Sequence, residues 1–345
     1  MIERLWLDTR LPGERWLRPS LRGEASVRVP EVMRKCVCFI FHEKSGGSRV
    51  PVGTAFFMSV DRTHHQKGHW GFLVTARHVL AGIVRCRQDG EFFLRFNATE
   101  GGVAWMESNI RDWHPHPDES LADDVSVLPF VPPREIESLS LHVSAAATPA
   151  IIAEHDIGVG DELFFPGLFI NHHGKERNIP IVRGGSIAAM PGEPIKTKHF
   201  GSLEAYLVEA RSIGGLSGSP VFVHLGLHRW IDGQIKQAIT GGPAKEHGIF
   251  FLLGLVHGHY TVKAAARDEA VPDGLSDEAI NQGIAIVVPV SRILENINRP
   301  EWVEMRDKHD KEAADALLPD ADTGAAGEER REEDVDEEVP ALSTA

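Results

Sequence analysis

The sequence predicts an all-β body on three observations. Its 33 Gly and 21 Pro are spread along the chain as turn punctuation, and short Val/Ile/Leu/Phe runs lie between them. A helix-compatible pattern sets in only after Pro289. With 345 residues and 42% hydrophobic content, the chain can bury a sizeable core.

Residues 1–30 carry three prolines and no periodicity, so residues 1–35 read as an N-terminal arm. The segments Cys36–Phe41, Gly53–Val60, Trp70–Thr75, Glu91–Phe96 and Asp124–Phe130 are short, apolar and bounded by turn residues, the spacing of a barrel or sandwich. They fall in a first unit, residues 36–150, which ends in a Pro- and Ala-containing linker from Val131. A second unit, residues 151–292, repeats the texture in Glu162–Phe165, Ile179–Ala188, Ala205–Ala210, Pro220–Leu225, Phe250–His257 and Gly283–Val288. Ile293, Leu294 and Ile297 share one helical face and open a C-terminal helix over 293–319. Residues 320–345 hold ten acids against two arginines and read as a disordered tail.

That tail supplies −8 of the net charge of −14, and the remaining −6 over residues 1–319 is ordinary. No basic stripe with interleaved aromatics occurs, which argues against nucleic-acid binding. Met1 to Arg10 carries four charged residues and no apolar core of a secretory signal, and no run reaches the ~18 apolar residues of a membrane helix. Of three cysteines, Cys36 and Cys38 sit two apart in a strand-like run, poorly placed to bridge each other. A reduced, cytoplasmic chain with no membrane partner is the expectation.

Acyl transfer by serine needs a hydroxyl, an imidazole to take its proton, a carboxylate to orient that imidazole, and N–H groups for the oxyanion. Gly214-Gly215-Leu216-Ser217-Gly218-Ser219-Pro220 offers Ser217 between glycines that let the backbone turn sharply, with the N–H groups of Gly215 and Ser217 as oxyanion donors. Phe72-Leu73-Val74-Thr75-Ala76-Arg77-His78-Val79 places His78 where an apolar strand ends. Leu121-Ala122-Asp123-Asp124-Val125 places Asp124 at the head of an alternating strand, with Asp123 as a second acid beside it. Taken singly, each has a plainer reading: a Gly/Ser turn, a helix-start histidine, an exposed acid pair.

The stretches Thr75-Ala76-Arg77-His78-Val79, Asp124-Val125-Ser126-Val127-Leu128 and Gly215-Leu216-Ser217-Gly218-Ser219-Pro220 together resemble the three signature segments of trypsin-like serine proteases, in the order that family requires. Gly160–Gly167 and Gly184–Ala189 resemble strands of its second barrel. Gly254-Leu255-Val256-His257-Gly258-His259 resembles the strand on which the peptide substrate lies. The resemblance covers about residues 36–300. It implies two six-stranded antiparallel β-barrels with His78, Asp124 and Ser217 as a catalytic triad in the cleft between them.

Val79 stands where secreted relatives carry a cysteine, and Leu216 where they carry an Asp that pairs with a freed N-terminus. In motif style the chain is therefore similar to the bacterial trypsin-like and glutamyl-endopeptidase-like branches. The resemblance further implies Arg211 at the base of the specificity pocket and His257, Gly258 and His259 along the substrate. With Arg211 and His257 as basic groups, an acidic side chain at the cleaved bond is expected. A surface arginine is an equal reading of Arg211.

The 18 histidines raise the question of a metal, but no His-Glu-x-x-His occurs and paired loop histidines are commonly solvated. The expectation is a serine endopeptidase acting on polypeptides with no cofactor and no metal. The alternatives are a protease-fold peptide-binding module and an effector protease held inactive until a regulatory partner triggers it.

Overall fold

The computed structural model describes residues 29–64, 67–118, 123–197, 201–210, 215–226, 228–231, 234–237, 250–263 and 279–316. Residues 1–28 of the expected arm, Arg211 and the acidic tail lie outside them. In the first half, α1 (Glu31–Lys35) leads into β1 (Val37–Glu43), β2 (Arg49–Asp61) and β3 (His69–Thr75). Helix α2 (Arg77–Cys86) precedes β4 (Glu91–Ala98), β5 (Val103–Asn109), β6 (His114–Pro115) and β7 (Ser126–Pro129). The crossing segment holds β8 (Ile136–Glu137), β9 (Leu141–His142) and α3 (Pro149–Glu154). The second half comprises β10 (Glu162–Gly167), β11 (Ile181–Ala189), β12 (Ile195–Thr197), β13 (Gly201–Leu203), β14 (Tyr206–Glu209) and β15 (Pro220–His224). It continues with β16 (His228–Ile231), β17 (Gln234–Gln237), β18 (Phe250–Lys263) and β19 (Ala279–Pro289). Two helices, α4 (Val290–Ile297) and α5 (Pro300–Asp315), follow.

One connectivity occurs twice. In each half the first strand pairs with the second and fourth, the second with the third, the third with the last, and the fourth with the fifth: β1, β2, β3, β4, β5, β7 and then β10, β11, β14, β15, β18, β19. In the second half β18 also pairs with β19, so the six strands close into a barrel. In the first half the equivalent pairing of β5 with β7 is not made among the described residues. There β6 lies on β7, β8 on β4, and β9 runs parallel to β2, giving a nine-stranded sheet with a seam.

The near-continuous apolar runs of β15, β18 and β19 follow from burial on both faces. Val221, Val223, Phe251, Leu253, Ala285 and Val287 point into the second barrel. Alternating with them, Phe222, Phe250, Leu252, Ile286 and Val288 join the core of the first sheet. Each fully buried Phe or Leu contributes about 2 kcal/mol, so these three strands join the halves as well as walling one barrel.

The single helix expected over 293–319 is two, because Pro300 lacks the N–H that would continue α4 and is accepted in the first turn of α5. Ile293, Ile297 and Trp302 bury against the first sheet. Asp310, fully buried, accepts from Arg62 Nε (2.7 Å), Thr63 N (2.6 Å) and Trp70 Nε1 (3.1 Å), pinning α5 to the β2–β3 turn. Cys36 and Cys38 are buried and Cys86 exposed, all as free thiols, and burial pushes the first two thiols far up in pKa. Among the described residues no helix is long and apolar enough to cross a membrane.

Candidate active site

His78 sits in the first turn of α2, directly after β3. Ala76, at the N-cap, has no side chain to satisfy the free N–H groups there. Asp124 does so instead: its Oδ1 accepts from His78 N at 2.7 Å, and its Oδ2 faces His78 Nδ1 at 2.6 Å. The backbone carbonyl of Asp124 also takes Arg77 N–H at 3.2 Å. One carboxylate thus caps a helix and fixes the ring in the same turn.

Asp124 is 0% exposed. Burial alone would raise its pKa. The neighbouring His78 and hydrogen bonds from His257 and His78 outweigh that, and the net effect holds it below the usual carboxylate value. Asp123 turns elsewhere, 3.7 Å from both His116 Nδ1 and Arg292 Nε, and burial raises its pKa despite those two partners. Adjacent acids therefore differ in both direction and environment, and Asp124 is the one on His78.

Ser217 lies in the turn before β15. Gly215 at φ +101° and Gly218 at φ +83° occupy left-handed conformations. A Cβ on Gly218 would stand 2.2 Å from the Thr54 carbonyl oxygen, so only glycine fits. Leu216 is buried in the second barrel. Ser217 Oγ donates to the His257 carbonyl at 3.3 Å.

Thr54, fully buried on β2, ties this turn to the first sheet. Its N–H donates to the Ser217 carbonyl (3.0 Å) and its Oγ1 to the Gly215 carbonyl (2.9 Å), while Leu168 N donates to the same Oγ1 (3.0 Å). Thr75 Oγ1, three residues before His78, donates to the Thr54 carbonyl at 2.7 Å. Base and nucleophile are thereby held through one threonine. In the sequence Thr54 opens a strand after Gly53, and nothing in that pattern marks it as a bridge.

His257 departs from the sequence expectation. It is buried, and its Nδ1 lies 2.6 Å from Asp124 Oδ2, the oxygen that also faces His78. The two imidazole rings meet edge to face at 5.2 Å. Its Nδ1 is therefore taken up by the carboxylate, a contact that a place along the substrate does not foretell. Gly258 and His259 follow on β18, and burial lowers the His259 pKa. Arg211 and Gly214 lie outside the described residues.

A second His/Asp cluster occupies the far end of the first sheet. Asp61 Oδ1 lies 3.0 Å from His69 Nδ1 and 3.2 Å from His142 Nε2. His142 Nδ1 accepts from Ser144 N at 3.2 Å. Neither contact with Asp61 has hydrogen-bond geometry, and the three side chains stand close enough together to hold a metal ion.

The repeated six-strand connectivity, closed in the second half and open in the first, with Thr54 of one half bonded to the Ser217 turn of the other and Asp124 bonded to His257, defines the chymotrypsin-like fold class. No family model and no curated protein matches the sequence. Among solved structures, the chain is similar to the MamO protease domain from Magnetospirillum magneticum in its apo form, at 12% identity and TM-score 0.42. That alignment covers 76% of this chain and 96% of the other. Deg5 aligns at 14% identity and TM-score 0.40 over 76% and 87% of the two chains. Rv3671c from M. tuberculosis, an inactive mutant form, aligns at 15% identity and TM-score 0.37 over 77% and 86%. With these three TM-scores between 0.37 and 0.42, the fold assignment stands on this chain's own strand pairings.

Proposed function

We propose that the chain is a serine endopeptidase. Ser217 Oγ attacks a peptide carbonyl carbon as its proton passes to His78 Nε2, and the resulting imidazolium is held through Nδ1–H on Asp124. The N–H groups of Gly215 and Ser217 receive the developing oxyanion. His78 returns the proton to the leaving amine, the acyl-serine forms, and water, deprotonated by the same imidazole, releases the acid and restores Ser217. The observation that carries this reading is the double grip of Asp124 on His78, through ring and backbone at 2.6 and 2.7 Å. That grip selects the tautomer a general base needs.

The preference for Glu or Asp at the cleaved bond rests on Arg211, because His257 is turned to Asp124. The three free thiols favour action in a reducing compartment. A second reading, an effector protease at rest until a partner engages it, draws support from the Ser217 hydroxyl being donated to the His257 carbonyl.

Purified protein incubated with casein and a peptide library, beside Ser217→Ala, tests the proposal. Cleavage lost in Ser217→Ala supports it, with products ending in Glu or Asp supporting the preference. Cleavage confined to Lys or Leu sites removes the acidic preference. Activity only with cell extract added selects the second reading, and cleavage retained by Ser217→Ala refutes the assignment.

A further inference from the structure

We infer that His257 is a positioning residue of the catalytic group, holding Asp124 with its ring N–H and Ser217 with its backbone carbonyl. The inference rests on the protease reading and adds to it a fourth residue that touches each of the other three.

The backbone supplies the first argument. Val256 pairs with Val287 and Gly258 with Ile286, so His257 is the extra residue of a β-bulge between β18 and β19. A bulge leaves one residue outside the ladder and re-aims its side chain. Here the re-aimed ring reaches Asp124 Oδ2 at 2.6 Å, while the freed carbonyl accepts Ser217 Oγ at 3.3 Å. Two bonds at the preceding residue fix the strand: Gly218 N donates to the Val256 carbonyl at 2.8 Å, and Val256 N to the Ser219 carbonyl at 2.9 Å. The nucleophile turn and the bulge are therefore one hydrogen-bonded unit.

The carboxylate supplies the second. A fully buried ionised acid is tolerated only where donors surround it. Asp124 has His78 N–H on Oδ1 and two ring nitrogens on Oδ2. A carboxylate only accepts, so both Nδ1 atoms carry protons. His257 thus helps keep Asp124 charged and aimed at His78.

The experiment has two arms. In ¹⁵N-histidine-labelled full chain, proton NMR is expected to show two strongly deshielded, exchange-protected ring N–H signals at neutral pH, falling to one in His257→Asn. A single such signal in the wild type overturns the inference without recourse to any variant. In the second arm, fluorophosphonate labelling and peptide cleavage are measured for His257→Ala, His257→Ser and His257→Asn, with thermal unfolding as the fold control. His257→Ala is expected to label about 10- to 100-fold more slowly, the loss of one charge-assisted hydrogen bond, with KM unchanged. Ser and Asn, which keep a donor, are expected to recover most of the rate. Labelling of His257→Ala at the wild-type rate, or folded Ser and Asn variants as slow as Ala, overturns the positioning role. Two deshielded protons in a wild type that resists all labelling leave the shared carboxylate standing and take down the protease reading instead.

Discussion

The two halves of the molecule use one strand connectivity and finish it differently. The second closes by pairing β18 with β19 and has no edge; the first stops at β6, whose free edge has to be managed. The C-terminal segment covers it: Asn296 Nδ2 donates to the His114 carbonyl at 3.1 Å and Arg299 Nη2 to the Pro115 carbonyl at 2.6 Å. A closed barrel contributes the nucleophile on a turn locked by positive-φ glycines. An open sheet contributes base and acid at the start of a helix. The difference teaches that the chemical group is assembled across a junction, and that Thr54 and His257 are the residues spanning it.

The largest effect is expected where the halves cooperate. Ser217→Ala and His78→Ala should each lower kcat by about 10⁴- to 10⁶-fold, and the double variant should be no slower than the worse single one. Multiplying losses in steady-state kinetics would show two independent contributions and break the junction account.

Next comes the open half. Asp310→Ala leaves Arg62 without its buried partner and should lower stability by about 3 kcal/mol in urea unfolding. If the second barrel is the independently cooperative unit, hydrogen exchange should show β1 to β3 losing protection before β15 and β18.

A smaller effect is expected at Thr54. Thr54→Val keeps the shape and removes the hydroxyl that joins Gly215 to Leu168. The cost should be about 1–3 kcal/mol and a fall in kcat of about tenfold or more, with Thr54→Ser near wild type. Equal losses in both variants would assign the role to packing.

The smallest effect concerns acid. Asp124 has a pKa lower in the folded state than its unfolded value of about 3.9. Its contribution to stability is fully present above that value and is lost as pH falls through the lower folded one. Acid unfolding followed by circular dichroism should therefore be shallower below pH ~4 in Asp124→Asn than in wild type, and an unchanged slope would contradict the depressed pKa.

Most of the strands are legible in the order of residue types alone. The runs of β1 to β4 and of β10, β15, β18 and β19 stand out because their residues are buried on one or both faces. Strand β5 does not, since Val103–Asn109 is a part-exposed segment with Glu107, Ser108 and Asn109 among its seven residues. His78, Asp124 and Ser217 are marked by local context: a strand end, a strand head and a glycine turn. Choosing Asp124 over Asp123 on physical grounds needs the fold, because both are acids at the same strand head and only their surroundings differ. The sequence sets His257 along the substrate, whereas a bulge re-aims its ring by one residue's worth of register, and no pattern of residue types encodes that shift. Thr54 is silent in the sequence for a related reason: its bonds reach Gly215, 161 residues away. The break at Pro300 is visible as a proline within a helical pattern, and a continuous helix is the less physical reading of it.

The most direct measurement of the central claim is stoichiometric fluorophosphonate labelling followed by peptide mapping, on wild type and on Ser217→Ala, His78→Ala and Asp124→Asn. One label per chain on Ser217, absent in Ser217→Ala and slowed about 10³-fold or more in the other two, is the expected result. A label that forms on another residue, or on Ser217 at the same rate without His78, would contradict a nucleophile activated across the junction.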